Sequence, residues 1–344
     1  MARNRAAFER VTFRPRVLRG VQSIDTSTGI FGKASAMPLA LAPTGAAGLL
    51  WYQGDLALAR AAATAGLPFT VSSASTMDLE QIAAAGGRLW FQLYLWEDRS
   101  LSHAVVSRAH DLGCEALFVT LDMPVPPNRE YILRNGFGTP FKLNTRNVRD
   151  VLLHPRWLAG VMGRYALNGG IPSQANLPDR LRAKVTKGAP PGALFKQDDL
   201  DWDGVKDLRD RWPGKFVLKG ILHPEDAERA LALGADGVVV SNHGGRALDS
   251  SIATVDALPE IVAAVGGRLT VFLDSGIRRG SDIVKAVALG ADAVLAGRAP
   301  LYGLAAAGEL GVSRALELLK AETARTMAML GARTIAEVDS SLVA

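Results

Sequence analysis

The stretch Leu269-Thr-Val-Phe-Leu-Asp-Ser275, then Ser281 to Leu289, Gly290, and Ala293-Val-Leu-Ala-Gly-Arg298 carries the pattern that decides the fold. Two short apolar runs flank one amphipathic segment that ends at a glycine. Near-continuous apolar runs of this length are strands buried on both faces, as in a parallel sheet. A glycine just past an amphipathic segment supplies the left-handed residue at which helices stop. The unit therefore reads strand, helix, strand. Working outward, the same pattern recurs at 39–43, 69–73, 89–94, 116–122, 216–221 and 237–242, which makes eight runs with 269–275 and 293–298. Asp55–Ala65, Ser100–Leu112 and Pro224–Leu233 are the helical partners, ended by Gly66, Gly113 and Gly234; Ser281 and Pro224 suit helix starts. Eight strand–helix units close an α/β (β/α)8 TIM barrel. A doubly wound open sheet ranks second, because its G-x-G-x-x-G fingerprint is absent. About 100 residues separate the fourth run from the fifth, so a long excursion follows strand four.

Composition fits this architecture and excludes several function classes. The 344 residues read as one barrel domain over 1–344, with 140–196 as a basic loop or helical insertion. Hydrophobic residues make up 48% and charged residues 21%, which excludes disorder. The net charge of +5 is unevenly placed: 140–196 holds ten Lys/Arg against two Asp, and the remainder holds 29 against 32. Basicity confined to one insertion argues against a nucleic-acid binder. A single cysteine, Cys114, rules out an intrachain disulfide and a cluster held by this chain alone. Beside Ala116-Leu-Phe118 it reads as a small buried hydrophobe. The start, Met-Ala-Arg-Asn-Arg, lacks the apolar core of a secretory signal, and no run is long enough to span a bilayer. A cytoplasmic protein is expected. No metal-ligand spacing appears, so no metal site is expected.

Active sites of such barrels form where strands end. Here each run ends in polar or small residues: Thr44-Gly45, Ser72-Ser73, Gln92 and Tyr94, Thr120 and Asp122, Lys219, Ser241-Asn-His243, Asp274-Ser-Gly276, and Gly297-Arg298. The loops after strands seven and eight, Gly276-Ile-Arg278-Arg279-Gly280-Ser281 and Gly297-Arg298, suit a phosphate: glycines admit the backbone, helix N–H groups face the anion, and arginine neutralises it. Ser241-Asn-His-Gly-Gly-Arg246 is the sharpest signal. It sets a base that titrates near neutrality beside an anion-binding guanidinium, and Asp122 is placed to orient His243.

Val240-Ser-Asn-His-Gly-Gly-Arg-Ala-Leu-Asp249 resembles the active-site signature of the FMN-dependent L-2-hydroxy-acid dehydrogenase and oxidase family. Pro43-Thr-Gly45, Phe91-Gln-Leu-Tyr94, Thr120-Leu-Asp122, Asn128-Arg-Glu130, Val217-Leu-Lys-Gly220, Asp274-Ser-Gly-Ile-Arg278-Arg-Gly280 and Gly297-Arg298 extend the resemblance along nearly the whole chain. It implies FMN as cofactor and oxidation of a 2-hydroxy acid to the 2-keto acid. By the same resemblance His243 is the base, Asp122 its partner, and Tyr94 a hydrogen-bonding group at the reacting oxygen. Arg129 and Arg246 clamp the substrate carboxylate, and Lys219 sits at the flavin N1/O2 edge. Ser72, Gln92, Thr120 and Ser241 belong to the flavin's polar surroundings. Asp274, Gly276, Arg278, Gly297 and Arg298 hold ribityl and phosphate, and the backbone of Pro43, Thr44 and Gly45 faces flavin N5.

The finer branch is read from departures within the pattern. Gly45 stands where many oxidases of the family carry alanine, and Leu50-Trp-Tyr-Gln-Gly-Asp55 is similar to the mandelate-type branch. A dehydrogenase passing electrons to a quinone or other acceptor is expected; oxygen as acceptor is the alternative. Ala74 stands where glycolate-type members carry a bulky aromatic, which implies a larger substrate, mandelate-like or lactate. Val151-Leu-Leu-His-Pro-Arg-Trp-Leu-Ala-Gly-Val-Met162, inside the basic insertion, is expected on an anionic membrane surface, on the inner face, or else as a lid. The resemblance also implies a homotetramer, and a leader ahead of Asn4-Arg-Ala-Ala-Phe8 with a tyrosine on the substrate carboxylate. That tyrosine has no counterpart in this sequence, which leaves a flavin-binding remnant as a further alternative. An FMN-dependent isopentenyl diphosphate isomerase shares a similar barrel, but does not need His243, Arg246 and Arg129 together.

Overall fold

A computed structural model describes residues 1–136, 144–178, 181–182, 184, 186–187, 190 and 193–344, so part of the expected 140–196 insertion lies outside the described residues. A short antiparallel hairpin, β1 (Thr28–Ile30) and β2 (Lys33–Ser35), precedes the barrel. The barrel strands are β3 (Leu39–Leu41), β4 (Phe69–Ser72), β5 (Leu89–Leu93), β6 (Ala116–Thr120), β7 (Lys215–Ile221), β8 (Gly237–Val240), β9 (Thr270–Leu273) and β10 (Ala293–Ala296). All pair in parallel, each with the next, and β10 returns to β3 to close the ring. The eight apolar runs are these eight strands, so the open-sheet alternative is excluded. β3 to β6, β8 and β10 are buried along their whole length, because helices cover the outside while side chains fill the inside.

The filling is aromatic at one end. Trp90 of β5 stacks on Phe118 of β6, with centroids 5.1 Å apart. Phe272 of β9 meets both rings edge-on or tilted. The β1–β2 hairpin adds Ile30 and Phe31 to this cluster, stoppering the barrel's N-terminal mouth. The hairpin was not legible in the sequence, since three-residue strands are too short to show alternation. With that end filled by aromatic rings, the polar strand ends gather at the opposite, C-terminal mouth.

The helices fall where the amphipathic stretches lie: Gly54–Thr64, Arg99–Asp111, Pro224–Ala232 and Gly280–Ala288. Gly66, Gly113, Gly234 and Gly290 all take positive φ just beyond them. One start differs from expectation. Ser281 lies within the first turn, and the end of that helix is closed instead by Asp282, whose carboxylate accepts from the N–H groups of Arg278 and Arg279 at 2.9 and 3.0 Å. A carboxylate satisfies two open N–H groups and opposes the helix dipole better than a hydroxyl does. Cys114 is buried, and burial pushes its thiol up to about 12. Among the described residues, no helix is long and apolar enough to cross a membrane.

Candidate active site

The C-terminal mouth opens into a cavity of about 850 Å³. On one side β8 ends and the chain turns back at once through His243, Gly244 and Gly245, with φ of 58°, 69° and 71°. Left-handed backbone is costly for histidine. It is held here by the His243 N–H donating to the Ser241 hydroxyl at 3.1 Å. A side chain on Gly244 would come within 2.7 Å of the Arg298 guanidinium, so this glycine lets the two loops meet.

The His243 ring is held at both nitrogens. Nδ1 lies 3.0 Å from Asp122 Oδ1, and Nε2 lies 3.1 Å from the Tyr94 hydroxyl. Burial opposes ionisation of Asp122, but Lys219 and the His243 hydrogen bond outweigh it and hold the carboxyl below the ordinary range. An ionised carboxylate only accepts, which assigns the hydrogen to Nδ1 and leaves Nε2 its lone pair. Burial pushes the Tyr94 phenol up to about 12, so it stays a donor across the working range.

Behind this group sits a buried cation. Lys219 is 4% exposed, 3.2 Å from Asp274 and 2.9 Å from the Ser241 hydroxyl. Burial opposes its charge, but Asp274 and then Asp122 outweigh burial and raise its pKa above the usual lysine value. The lysine owes its position to a bulge in β7 between Lys219 and Ile221. Gly220 sits there at φ 108°, and a Cβ on it would fall 2.6 Å from Asp122 Cβ. The glycine is the space into which Asp122 fits. Across the barrel, Gln92 joins the Ser72 and Thr120 hydroxyls at 3.0 and 2.9 Å.

Guanidinium groups mark two further parts of the wall. Arg129 and Arg246 line the cavity beside His243, and Arg129 Nε donates to the Arg246 carbonyl at 3.1 Å. Burial, then the like charge of Arg246, lowers the pKa of Arg129. Arg278 and Arg298 line another part of the wall, and burial, then Arg278 and Arg246, lowers that of Arg298. Among the described residues none of these four arginines is paired with a carboxylate. Unpaired cations crowded around a cavity favour an anion between them. Of the helix N–H groups expected to face that anion, three at the start of the helix Gly280–Ala288 are spent otherwise. Those of Arg278 and Arg279 go to Asp282, and that of Gly280 goes to Glu322 at 2.9 Å. The arginine side chains and the start of the next helix, at Gly297 and Arg298, still line the cavity. Arg279 pairs with Glu322 at the surface.

Of the residues singled out in the sequence, Pro43, Thr44, Gly45, Ser72, Tyr94, Thr120, Arg129, Lys219, His243, Arg246, Asp274, Gly276, Arg278, Gly297 and Arg298 share this one cavity. Gln92, Asp122 and Ser241 stand one step behind the wall and act on it through Ser72 and Thr120, His243, and Lys219. Sequence reasoning missed Phe195, which lines the cavity from the far end of the excursion with its ring 5.3 Å from that of Tyr94. A lone phenylalanine in a Pro- and Gly-rich stretch carries no periodic signal. Met123, just after β6, and Tyr302, within the helix that follows β10, also line the cavity and were missed.

The model of the FMN-dependent dehydrogenase family matches residues 1–344. The chain belongs to that family. Among relatives of this FMN-dependent dehydrogenase, the L-lactate dehydrogenase of Ectopseudomonas mendocina (strain ymp) is 42% identical over 347 residues, covering 100% of this chain and 90% of the relative. The (S)-mandelate dehydrogenase of Pseudomonas putida is 44% identical over 329 residues, covering 95% and 82%. Among solved structures, the monotopic membrane protein (S)-mandelate dehydrogenase superposes with a TM-score of 0.91 at 41% identity, covering 100% of this chain and 90% of that one. A mandelate oxidase with (S)-2-phenylpropionate gives 0.81 at 40% identity, covering 98% and 87%.

The donor set fits FMN. Unpaired Arg278 and Arg298 suit a phosphate, and Asp274 with the Ser72 and Thr120 hydroxyls suits a polyol. Lys219 is a fixed, desolvated cation for the electron-rich edge of a reduced ring. The volume lies within the range of cofactor pockets. Flavin, when bound, supplies the two-electron acceptor, while the protein orients the reactants.

Proposed function

We propose that this chain, with FMN bound, oxidises an L-2-hydroxy acid of mandelate or lactate type to the 2-keto acid, and that residues 1–344 form one FMN-binding unit with 140–196 inserted in it. The observation that carries the reading is the His243–Asp122 pair at 3.0 Å in the same cavity as unpaired Arg129 and Arg246. Oxidising R–CH(OH)–COO⁻ requires a base at the hydroxyl and a clamp for the carboxylate. Arg129 and Arg246 hold the carboxylate and aim the hydroxyl at His243 Nε2. That nitrogen takes the proton, and Asp122 stabilises the imidazolium that results. Tyr94 donates to the same oxygen. Lys219 offsets the negative charge gained at the acceptor, Asp274 and Ser241 hold that lysine, and Gln92 holds the Ser72 and Thr120 hydroxyls. Phe195 and Ala74 shape the space beside Tyr94, and a residue as small as Ala74 leaves room for a ring. Anaerobic (S)-mandelate should bleach the flavin band of the purified protein. A flavin spectrum unaffected by mandelate and lactate would overturn the reading, and faster turnover with glycolate would overturn the substrate size.

The acceptor we assign is a quinone or similar carrier, in line with Gly45 and with relatives named dehydrogenases. Slow reoxidation of the bleached protein in air is the expected result, and rapid reoxidation would make it an oxidase. A membrane surface is the expected location. The helix Thr145–Leu153 and the segment after it expose Val148, Leu152, Leu153 and Leu158 amid Arg146, Arg149 and Arg156. Apolar side chains with a basic rim suit an anionic leaflet, and the similar mandelate dehydrogenase is a monotopic membrane protein. Flotation with anionic vesicles at low salt should carry the protein upward; recovery in the pellet fraction alone would refute this.

A further inference from the structure

The N-terminal helix, Ala2–Arg10, lies outside the barrel count, yet it reaches both loops that carry the site's most important side chains. Asn4 and Asn242 are 3% and 5% exposed and exchange two hydrogen bonds. Asn4 Nδ2 donates to Asn242 Oδ1 at 2.8 Å, and Asn242 Nδ2 donates to Asn4 Oδ1 at 2.7 Å. Asn242 also donates to the Ile252 carbonyl at 3.0 Å and accepts from the Gly245 N–H at 3.0 Å. Its amide is thereby used at both hydrogens and both lone pairs. The two bonds to Ile252 and Gly245 tie the ends of the loop that contains His243. The two bonds to Asn4 fix the amide that makes those ties. The same helix sends Arg5 to Asp282 at 2.7 Å, and Asp282 caps the backbone at Arg278 and Arg279. Asn4 Cβ and the Phe8 ring close on Gly276, where a side chain would fall 3.0 Å from Phe8.

We infer that Asn4 is a positioning residue for the proposed reaction, acting through Asn242 to hold His243 in its left-handed backbone with Nε2 toward the substrate hydroxyl. This rests on the reading of His243 as the base. The two partners of the amide pair are 238 residues apart in the chain, and neither side chain lines the cavity. Losing it leaves one donor and one acceptor of Asn242 buried without partners, which frees the amide to turn, release Ile252 and leave Gly245 held only by the Asn242 backbone carbonyl at 2.9 Å.

The test is flavin reduction by the substrate the wild-type protein turns over, followed anaerobically, with flavin content per chain measured beside it. Asn4→Ala should slow reduction about tenfold or more while leaving flavin content and substrate affinity near wild type. Asn4→Asp adds a signature that a merely structural role does not have. Its neutral carboxyl can both donate to Asn242 Oδ1 and accept from Nδ2, whereas its carboxylate sets two acceptors face to face. The Asp variant's rate relative to wild type should therefore be near unity at low pH and fall as the pH rises. Reduction by Asn4→Ala within twofold of wild type, or a loss matched by lost flavin, would overturn the inference. If the alanine variant does not fold, an Asp-to-wild-type ratio independent of pH does so. A wild-type protein that reduces its flavin with no 2-hydroxy acid would instead refute the parent reading, leaving the two failures distinct.

Discussion

Replacing Asp122 with asparagine removes one charge and almost no volume, so its effect can be worked from the geometry. A general base acts from its neutral form, which gains little from the carboxylate beyond orientation. In the transition state His243 carries the substrate proton as a cation. Oδ1 stands 3.0 Å from Nδ1, which puts the charge centres about 4 Å apart, worth about 4 kcal/mol at an effective dielectric near 20. The ring is 20% exposed and Asp122 9%, so the upper end is softened by solvent. At 1.36 kcal/mol per decade this corresponds to a loss of about 10²–10³ in the rate of flavin reduction. Asparagine brings a second penalty. If its NH₂ faces Nδ1 it forces the hydrogen onto Nε2, which then has no lone pair for the substrate. If it is flipped, that NH₂ points where Asp122 Oδ2 has no hydrogen-bond partner among the described residues. The assay is anaerobic stopped-flow reduction at neutral pH with saturating substrate, on protein of matched flavin content. A rate within threefold of wild type would refute the assignment of Asp122 as charge partner of the base.

Three further outcomes follow from local geometry. Gly220→Ala should lower stability by about 3 kcal/mol, read as a drop in thermal midpoint, since φ is 108° and the new Cβ falls 2.6 Å from Asp122 Cβ; an unchanged midpoint would mean the bulge is not needed. Gly45→Ala brings a Cβ to 2.9 Å from Ala74 Cβ, so the loops after β3 and β4 must part, and flavin affinity measured by fluorescence should fall by up to about tenfold. Affinity at the wild-type value would show that these loops can move freely. Asp55 is buried, and that burial, only partly offset by hydrogen bonds from Ser75 and Thr76, pushes its carboxyl up to about 6. Its folded value lies above the unfolded one, so the native state holds the extra proton between pH 4 and 6 and loses stability as pH rises through that window, by about 3 kcal/mol in all. Asp55→Asn should therefore gain on wild type as pH rises from 4 to 7 in urea titrations, and a difference flat with pH would refute this.

What could be read without coordinates was whatever the chain writes locally. Short strands buried on both faces are largely apolar, and the helices lying on them are amphipathic and end near glycine. The eight-fold count of β3 to β10 therefore stands in the sequence almost residue for residue. Polar residues at the ends of such strands, Lys219 above all, are so costly to bury that they announce a site before its shape is known. The β1–β2 hairpin lacked any such signature, and so did Phe195, whose role depends on where a long excursion returns.

The hardest features to read were those in which one group forecloses another. Arg278-Arg279-Gly280 has the composition of a phosphate-binding helix start, and glycine with arginine would serve equally well there whether the N–H groups were free or taken. Only the approach of Asp282 from within the helix and of Glu322 from the last long helix decides it. Both carboxylates withdraw backbone donors from the cavity while leaving the side chains of Arg278 and Arg298 unpaired within it. On that side of the cavity, guanidinium groups stand on a capped backbone. The charge there is supplied by side chains that mutagenesis can remove one at a time, and Arg278→Met should weaken flavin binding without unwinding the helix, whose cap does not involve that side chain.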